Sequence, residues 1–420
     1  MGKLSPSAAD GLRFLGWIDY DEAHEKAARE ALAALRGRDA RDELGLGSVR
    51  DTLSDLFFPG TSTIQRRLRY FLFVAWCCET AARGRKRSVL DALRETEVRL
   101  IGTLAPLGEG AGVIGLQKGA DLVTMPSSIY WSGLRTLGMV TEPGSTARWA
   151  RHVEQQRAAN RPPAEESGAG QRIPGFAADI PPMPDGFPNM KGLDFCLGDE
   201  ERLYMKHQLS TAVTASDGWG LEHNLFACFC EQTTRTNAPF PWKHPLRRRL
   251  PERTRYYLDF AEAFSQTMYG ATLLYNYLLS RLRAEQDADP DAERHVLDYR
   301  QKLRAWADDV KPADLDIVAA GIGEIARIAG RLRHTIDGRT IRFVHQWLNA
   351  VRDGAAVQDS AAARDLIQKR EQDLKRHLGT SRFHNEAARK RWRFQSGGRL
   401  EYRWTIARSY LNDLAEERDA

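Results

Sequence analysis

Residues 57–79 read FFPGTSTIQRRLRYFLFVAWCCE, and the rest of the chain is understood outward from them. Pro59-Gly60 dictates a turn. Ser62 with Gln65 three positions on has the form of a capping box, which predicts a helix over 62–79. From Leu68 to Cys78 nearly every side chain is apolar, so no face is left for water and the helix is expected to be buried on all sides. The run is too short to cross a bilayer, which takes about 20 residues. Its opening carries Arg66, Arg67 and Arg69. Two readings stay open: the keystone of a core, or an anion site built from Thr61, Ser62, Thr63, Arg66, Arg67 and Arg69, because helix N-termini hold phosphate well.

A chain of 420 residues with 42% hydrophobic content can bury substantial cores, and its length suggests two or three domains. The formal net charge is +5, with Arg outnumbering Lys 49 to 12, so local clustering is more informative than the total. Cys77, Cys78, Cys196, Cys228 and Cys230 are odd in number and partly adjacent, which does not make a disulfide framework and fits a reducing cytoplasm. Neither an export signal nor a span of membrane length is present in the sequence, so a cytoplasmic protein with no membrane partner is expected.

Capping and periodicity predict a mainly α protein in two parts. An N-terminal helical domain is expected over 1–158, built on the buried helix. Within it, a helix over 88–104, a glycine-rich stretch and a helix from Pro126 ending at Gly138 suggest a winged-helix portion over 87–142, with an ordinary capped helix as the other reading. The glycine-rich GEGAGVIG lacks the Lys-Ser/Thr ending of a phosphate loop and follows a helix, so a nucleotide loop is not expected. Residues 159–192, rich in proline and glycine, read as a linker or a long ordered loop. Residues 193–420 then form a C-terminal helical domain with helices near 256–284, 292–308, 313–332, 340–352 and 360–378, joined by short connections as in a bundle.

Two stretches concentrate positive charge. PFPWKHPLRRRLPERTR (239–255) sets Lys243, Arg247, Arg248, Arg249, Arg253 and Arg255 against the single acid Glu252. Between 364 and 408 stand 13 Lys/Arg and 5 Asp/Glu, with Phe383, Trp392, Phe394, Tyr402 and Trp404 interleaved. Lys390, Arg391, Trp392, Arg393, Arg399 and Arg403 are the candidate contacts there. Cations with interleaved aromatics neutralise phosphates and stack bases. The same residues also suit a solvated loop, a surface for an acidic partner, or a final helix whose aromatics are buried while its arginines snorkel.

The run FPGTSTIQ, followed by Arg69-Tyr70-Phe71-Leu72-Phe73-Val74 and Trp76, resembles the signature of an uncharacterised bacterial family, a domain of unknown function some four hundred residues long. Leu15-Gly16-Trp17, Arg50-Asp51, Ile129-Tyr130-Trp131-Ser132-Gly133-Leu134 and Tyr402-Arg403-Trp404 are similar to it as well, so the likeness runs nearly end to end. Ala75 stands where the family pattern has proline. The resemblance implies an accessory component of anti-phage defence clusters, beside helicases, ATPases or nuclease-like partners, and brings no catalytic residues with it.

Nucleophile elbows, complete phosphate loops, H-E-x-x-H and paired cysteine sites are all missing from the sequence, which points away from an enzyme and implies no cofactor and no metal. His223, Cys228 and Cys230 lack zinc-site spacing. The expected function is a non-enzymatic defence component binding nucleic acid, DNA foremost, through its basic patches. The alternatives are an assembly subunit that docks defence partners without touching DNA, and a divalent-metal nuclease using Asp19, Asp51, Asp55 and Glu79.

Overall fold

The computed structural model describes residues 42–84, 88–159, 174–215, 217–287, 289–352, 356–376 and 379–415. Asp19 and the Leu15-Gly16-Trp17 motif lie outside them. The described residues form α1 (Gly47–Phe57), α2 (Tyr70–Arg83), α3 (Val89–Leu104), α4 (Pro126–Thr136), α5 (Thr146–Ala158), α6 (Asp199–Thr211) and α7 (Phe226–Phe229). There follow α8 (Glu252–Gln286), α9 (Ala292–Asp309), α10 (Pro312–Arg331), α11 (Gly338–Val351), α12 (Ala361–Lys375), α13 (Glu386–Lys390) and α14 (Trp404–Ala415). The mainly α expectation holds.

The keystone helix, α2, is buried on every side: Tyr70 through Cys78 are all 0% exposed. Each large side chain so buried contributes about 1.5–3 kcal/mol of hydrophobic stabilisation. It begins at Tyr70 and not at Ser62, which corrects the predicted start. Half of the capping box does form, with Ser62 N–H donating to Gln65 Oε1 (2.9 Å). The next N–H groups go to tertiary acceptors. Arg66 N–H and Arg67 N–H donate to the Tyr130 hydroxyl, and Leu68 N–H donates to Asp413 Oδ2 (2.9 Å). Side chains from α4 and α14 thus satisfy donors that a helix would have to satisfy itself or leave to a cap. The turn at Pro59-Gly60 packs tightly on α4. Gly60 sits at φ +80°, and a Cβ on Gly133 would come within 2.5 Å of the Gly60 carbonyl oxygen. Two of the motif stretches therefore meet at a contact that only glycine permits.

The winged-helix expectation is not shown. Gly138 does stop α4 in a left-handed conformation, with Met139 N–H returning to Leu134 O (2.9 Å), but no strand pair follows among the described residues. Val140 instead makes an isolated antiparallel bridge with Phe176, inside the 159–192 stretch. Within that stretch, 174–192 is packed loop. Trp76 Nε1 donates to Pro181 O (2.9 Å), and Phe187 sits edge-on to Trp76.

The apolar core runs without interruption from Leu44 to Leu414, drawing on residues from both sides of 159–192. At 35 residues α8 is its longest rod, and α9 and α10 pack along it. The extended segment 392–402 lies antiparallel to α8. Trp392 O meets Arg283, Ser396 N–H donates to Asn276 Oδ1 (2.8 Å), Leu400 O accepts from Ser265, and Tyr402 OH donates to Ala261 O (2.9 Å). A buried polar network closes the far end. Glu43 takes ion pairs from Lys375 and Arg382, and Glu371 accepts from Ser381 Oγ (2.6 Å).

Candidate nucleic-acid interface

The first basic stretch sits at the N-terminal end of α8 and is held rigidly. Trp242 is buried and stacks on Phe240 (4.7 Å, 4°). His244 stacks on Phe229 (4.0 Å), faces Gln232 Oε1 (2.9 Å) and accepts from Leu246 N–H, and burial pushes it down to about 4, so it stays neutral. The cations divide on this platform. Lys243 pairs with Glu262 (3.0 Å), Arg247 with Asp259, and Arg253 with Glu324 (3.1 Å) while also donating to the Tyr257 hydroxyl. Arg248, Arg249 and Arg255 are exposed and have no carboxylate partner among the described residues.

The second stretch divides differently. Trp392 is 3% exposed and donates to Ser396 Oγ (2.9 Å); Tyr402 and Trp404 are fully buried, with Trp404 Nε1 on Ala238 O (2.7 Å). These rings are core, which corrects the expectation that Trp392 stacks on bases. Phe394 is half-buried between His295 (4.2 Å) and the Arg283 guanidinium (4.2 Å). Arg403 also turns inward, to Asp55 and Thr61 O (2.7 Å), with its backbone at φ +62°. Lys390 pairs with Glu386 (2.6 Å), and Arg399 lies over the Phe240 ring (4.8 Å). Arg391 and Arg393 are exposed without a carboxylate partner among the described residues.

Distance follows from the helix. Arg253 lies in the first turn of α8, and Arg283, which holds Trp392, lies thirty residues later, which at 1.5 Å per residue is about 45 Å. The exposed arginines therefore form two groups at opposite ends of α8. The 392–402 segment connects them, with Arg399 resting on the loop that presents Lys243. Sequence alone missed the neutralising acids Asp259, Glu262 and Glu324, of which the first two stand one helical turn apart on α8 and were legible by that spacing.

The anion-site residues do not converge on an open site. Arg69 is 3% exposed and donates to Asp194 O (2.9 Å) and Glu201 Oε1 (2.8 Å). Arg67 pairs with Asp413 (2.9 Å) and lies over Phe195. Thr61 Oγ1 donates to Phe58 O (2.6 Å), Ser62 is half-buried, and only Thr63 and Arg66 are exposed. The anion that this helix start attracts is internal: the carboxylate of Asp413, brought in by α14.

The acids of the nuclease reading are also engaged. Asp51 pairs with Arg50 (3.0 Å) and Glu79 with Arg83. Asp55 meets His334 (2.8 Å) and Arg403; burial pushes its carboxyl up, but the hydrogen bonds and charges of those two partners hold it below the usual range. His223 is buried against Thr254 Oγ1 (3.0 Å), and burial pushes the Cys230 thiol up to about 12. Among the described residues no group of three or more His, Cys, Asp or Glu is placed to hold a metal ion, and no helix is long and apolar enough to cross a membrane.

No curated protein and no solved structure matches this chain. One family model does, over residues 12–162 and 175–418, nearly the whole length. The chain belongs to the family of unknown function DUF6361.

Proposed function

We propose that this protein is a non-enzymatic accessory component of a bacterial anti-phage defence system that binds nucleic acid, DNA foremost, without strong sequence preference. The observation that carries the binding is the set of exposed arginines lacking carboxylate partners: Arg248, Arg249 and Arg255 at one end of α8, Arg391 and Arg393 at the other. A guanidinium already paired with a carboxylate must give up that partner to meet a phosphate, so the unpaired five are the working contacts. Their separation of about 45 Å corresponds to roughly 13 base pairs at 3.4 Å each, which favours a ligand longer than one helical turn. Contacts of this kind position the backbone and read no bases. The defence role rests on the family resemblance and on no geometric feature.

The test is a salt titration of a labelled duplex of about 30 base pairs. Five phosphate contacts give an affinity that falls by about 4.5 log units per decade of salt. Failure to bind at low salt would transfer the reading to the assembly subunit, whose helicase, ATPase or nuclease partners co-purification from the native operon identifies. Cutting of plasmid with Mg²⁺ or Mn²⁺ that Asp51→Asn abolishes would establish the nuclease instead.

A further inference from the structure

Three stretches that the proposed interface does not use line one open cavity of about 400 Å³. The turn before α2 contributes Ile64 and Arg66, α4 contributes Ile129, and the glycine-rich loop contributes Val113, Ile114 and Lys118. Its apolar side chains are all aliphatic. Two exposed cations, Arg66 and Lys118, line it together with the polar Gln117, and no carboxylate belongs to it. Neither cation has a carboxylate partner among the described residues. Ile64 is 56% exposed, a large apolar side chain held beside the cavity and not in the core.

The cavity is preformed. Ile114 N–H donates to the Tyr70 hydroxyl (2.9 Å), so the keystone helix ties down the glycine-rich loop. Arg66 N–H donates to the Tyr130 hydroxyl (3.0 Å), which in turn donates to Arg67 O (3.0 Å) and fixes the opposite wall. The two tyrosine rings lie 5.4 Å apart, so both anchors belong to one packed unit. Gly115 sits at φ +78°, and a Cβ there would come within 2.6 Å of Leu122 Cδ2; the loop folds over only because this residue is glycine. A preformed concavity that sets apolar side chains beside a few convergent polar groups suits a small molecule with both kinds of surface.

We infer that this cavity binds a small amphipathic anion, an aliphatic body bearing one carboxylate or phosphate head, with Arg66 and Lys118 on the head group. The aliphatic side chains cover part of the body, while two cations without an acid select a negative head. The lining offers no aromatic ring for a base to stack on, which argues against a nucleotide.

Calorimetric titration of the full chain with octanoate, octyl phosphate and 1-octanol tests this. At least one anion is expected to bind with Kd below about 1 mM and about tenfold or more tighter than octanol. The preferred anion identifies the head group. Arg66→Ala with Lys118→Ala should weaken anion binding by about tenfold or more, and Ile64→Trp, filling the cavity from an exposed position, should do the same with thermal stability and DNA binding unchanged. Binding of octanol as tight as the anions, anion binding unchanged in both variants, or binding of neither anion to the folded wild type would each overturn the inference.

Discussion

Arg66-Arg67-Leu68-Arg69 and Arg247-Arg248-Arg249 are near-equal in composition and opposite in fate. Arg67 and Arg69 are drawn inward by Asp413, Asp194 and Glu201, each more than a hundred residues away in sequence. Around 247–249, the neighbouring acid Asp259 takes Arg247, and Arg248 and Arg249 remain in solvent. The direction of an arginine run is thus set by carboxylates on elements packed against it, which a local sequence window does not contain. The C-terminal stretch shows both fates within five residues. Arg389 is buried on Asp287 (2.7 Å) and Trp392 is core, while Arg391 and Arg393 point outward.

The strongest way to break this contrast is Arg69→Ala. It leaves Glu201 and Asp194 beside the buried α2 without their cation, and such a loss costs about 3–5 kcal/mol in urea denaturation. A loss below about 1 kcal/mol would mean that the inward arginines do not stabilise the fold. Asp413→Asn is the milder counterpart. The amide oxygen still accepts from Leu68 N–H, but the charge facing Arg67 is gone, and a loss of about 2 kcal/mol is expected.

Glu97 sharpens the contrast as a buried carboxylate held without an arginine bridge. Ser127 N–H and Oγ donate to it (2.6 and 3.1 Å) at the start of α4, and burial raises it to about 7 against these opposing hydrogen bonds. Because the folded protein holds this proton more tightly than the unfolded chain, the contribution is full below about pH 4.5. It declines as pH rises toward 7 and is lost above. Glu97→Gln should flatten the stability profile between pH 5 and 7.5 and stabilise the protein at pH 8 by on the order of 2 kcal/mol. An unchanged profile would show that Glu97 ionises freely in the fold.

What the sequence made legible was the local part. Pro126, Pro312, Asp337 and Ser360 mark helix starts because each acts within one turn; Asp337 Oδ1 accepts from Thr340 N–H (2.7 Å), and Ser360 Oγ accepts from Ala363 N–H (3.2 Å). The C-terminal helices accordingly fall within a few residues of their predicted bounds. The start of α2 was misread because its N–H groups are claimed by Tyr130 and by Asp413, 345 residues distant from Leu68. Trp392, Tyr402 and Trp404 were left between two readings for a related reason. A mix of cations and aromatics describes a stacking surface and a snorkelling helix equally well, and only the position of α8 decides between them. The motif pairs Arg50-Asp51 and Tyr402-Arg403 were visible individually, while their meeting through Asp51 and Arg403 (3.9 Å) was not.

The smallest expected effect on stability is the most informative about function. Arg248, Arg249 and Arg255 are exposed and lack carboxylate partners among the described residues, so replacing all three by Ala should shift unfolding by less than about 1 kcal/mol. The same variant should lower the salt slope of duplex binding by about 2.7, three contacts at about 0.9 each. Replacing the paired residues Lys243, Arg247 and Arg253 should lower it much less, because their charges are already opposed by Glu262, Asp259 and Glu324. Equal losses in the two triples would show that the ion pairs open on binding, and the division between engaged and free arginines would then describe the resting protein only. A free-triple slope equal to wild type would remove this end of α8 from the interface and leave Arg391 and Arg393 to carry it alone.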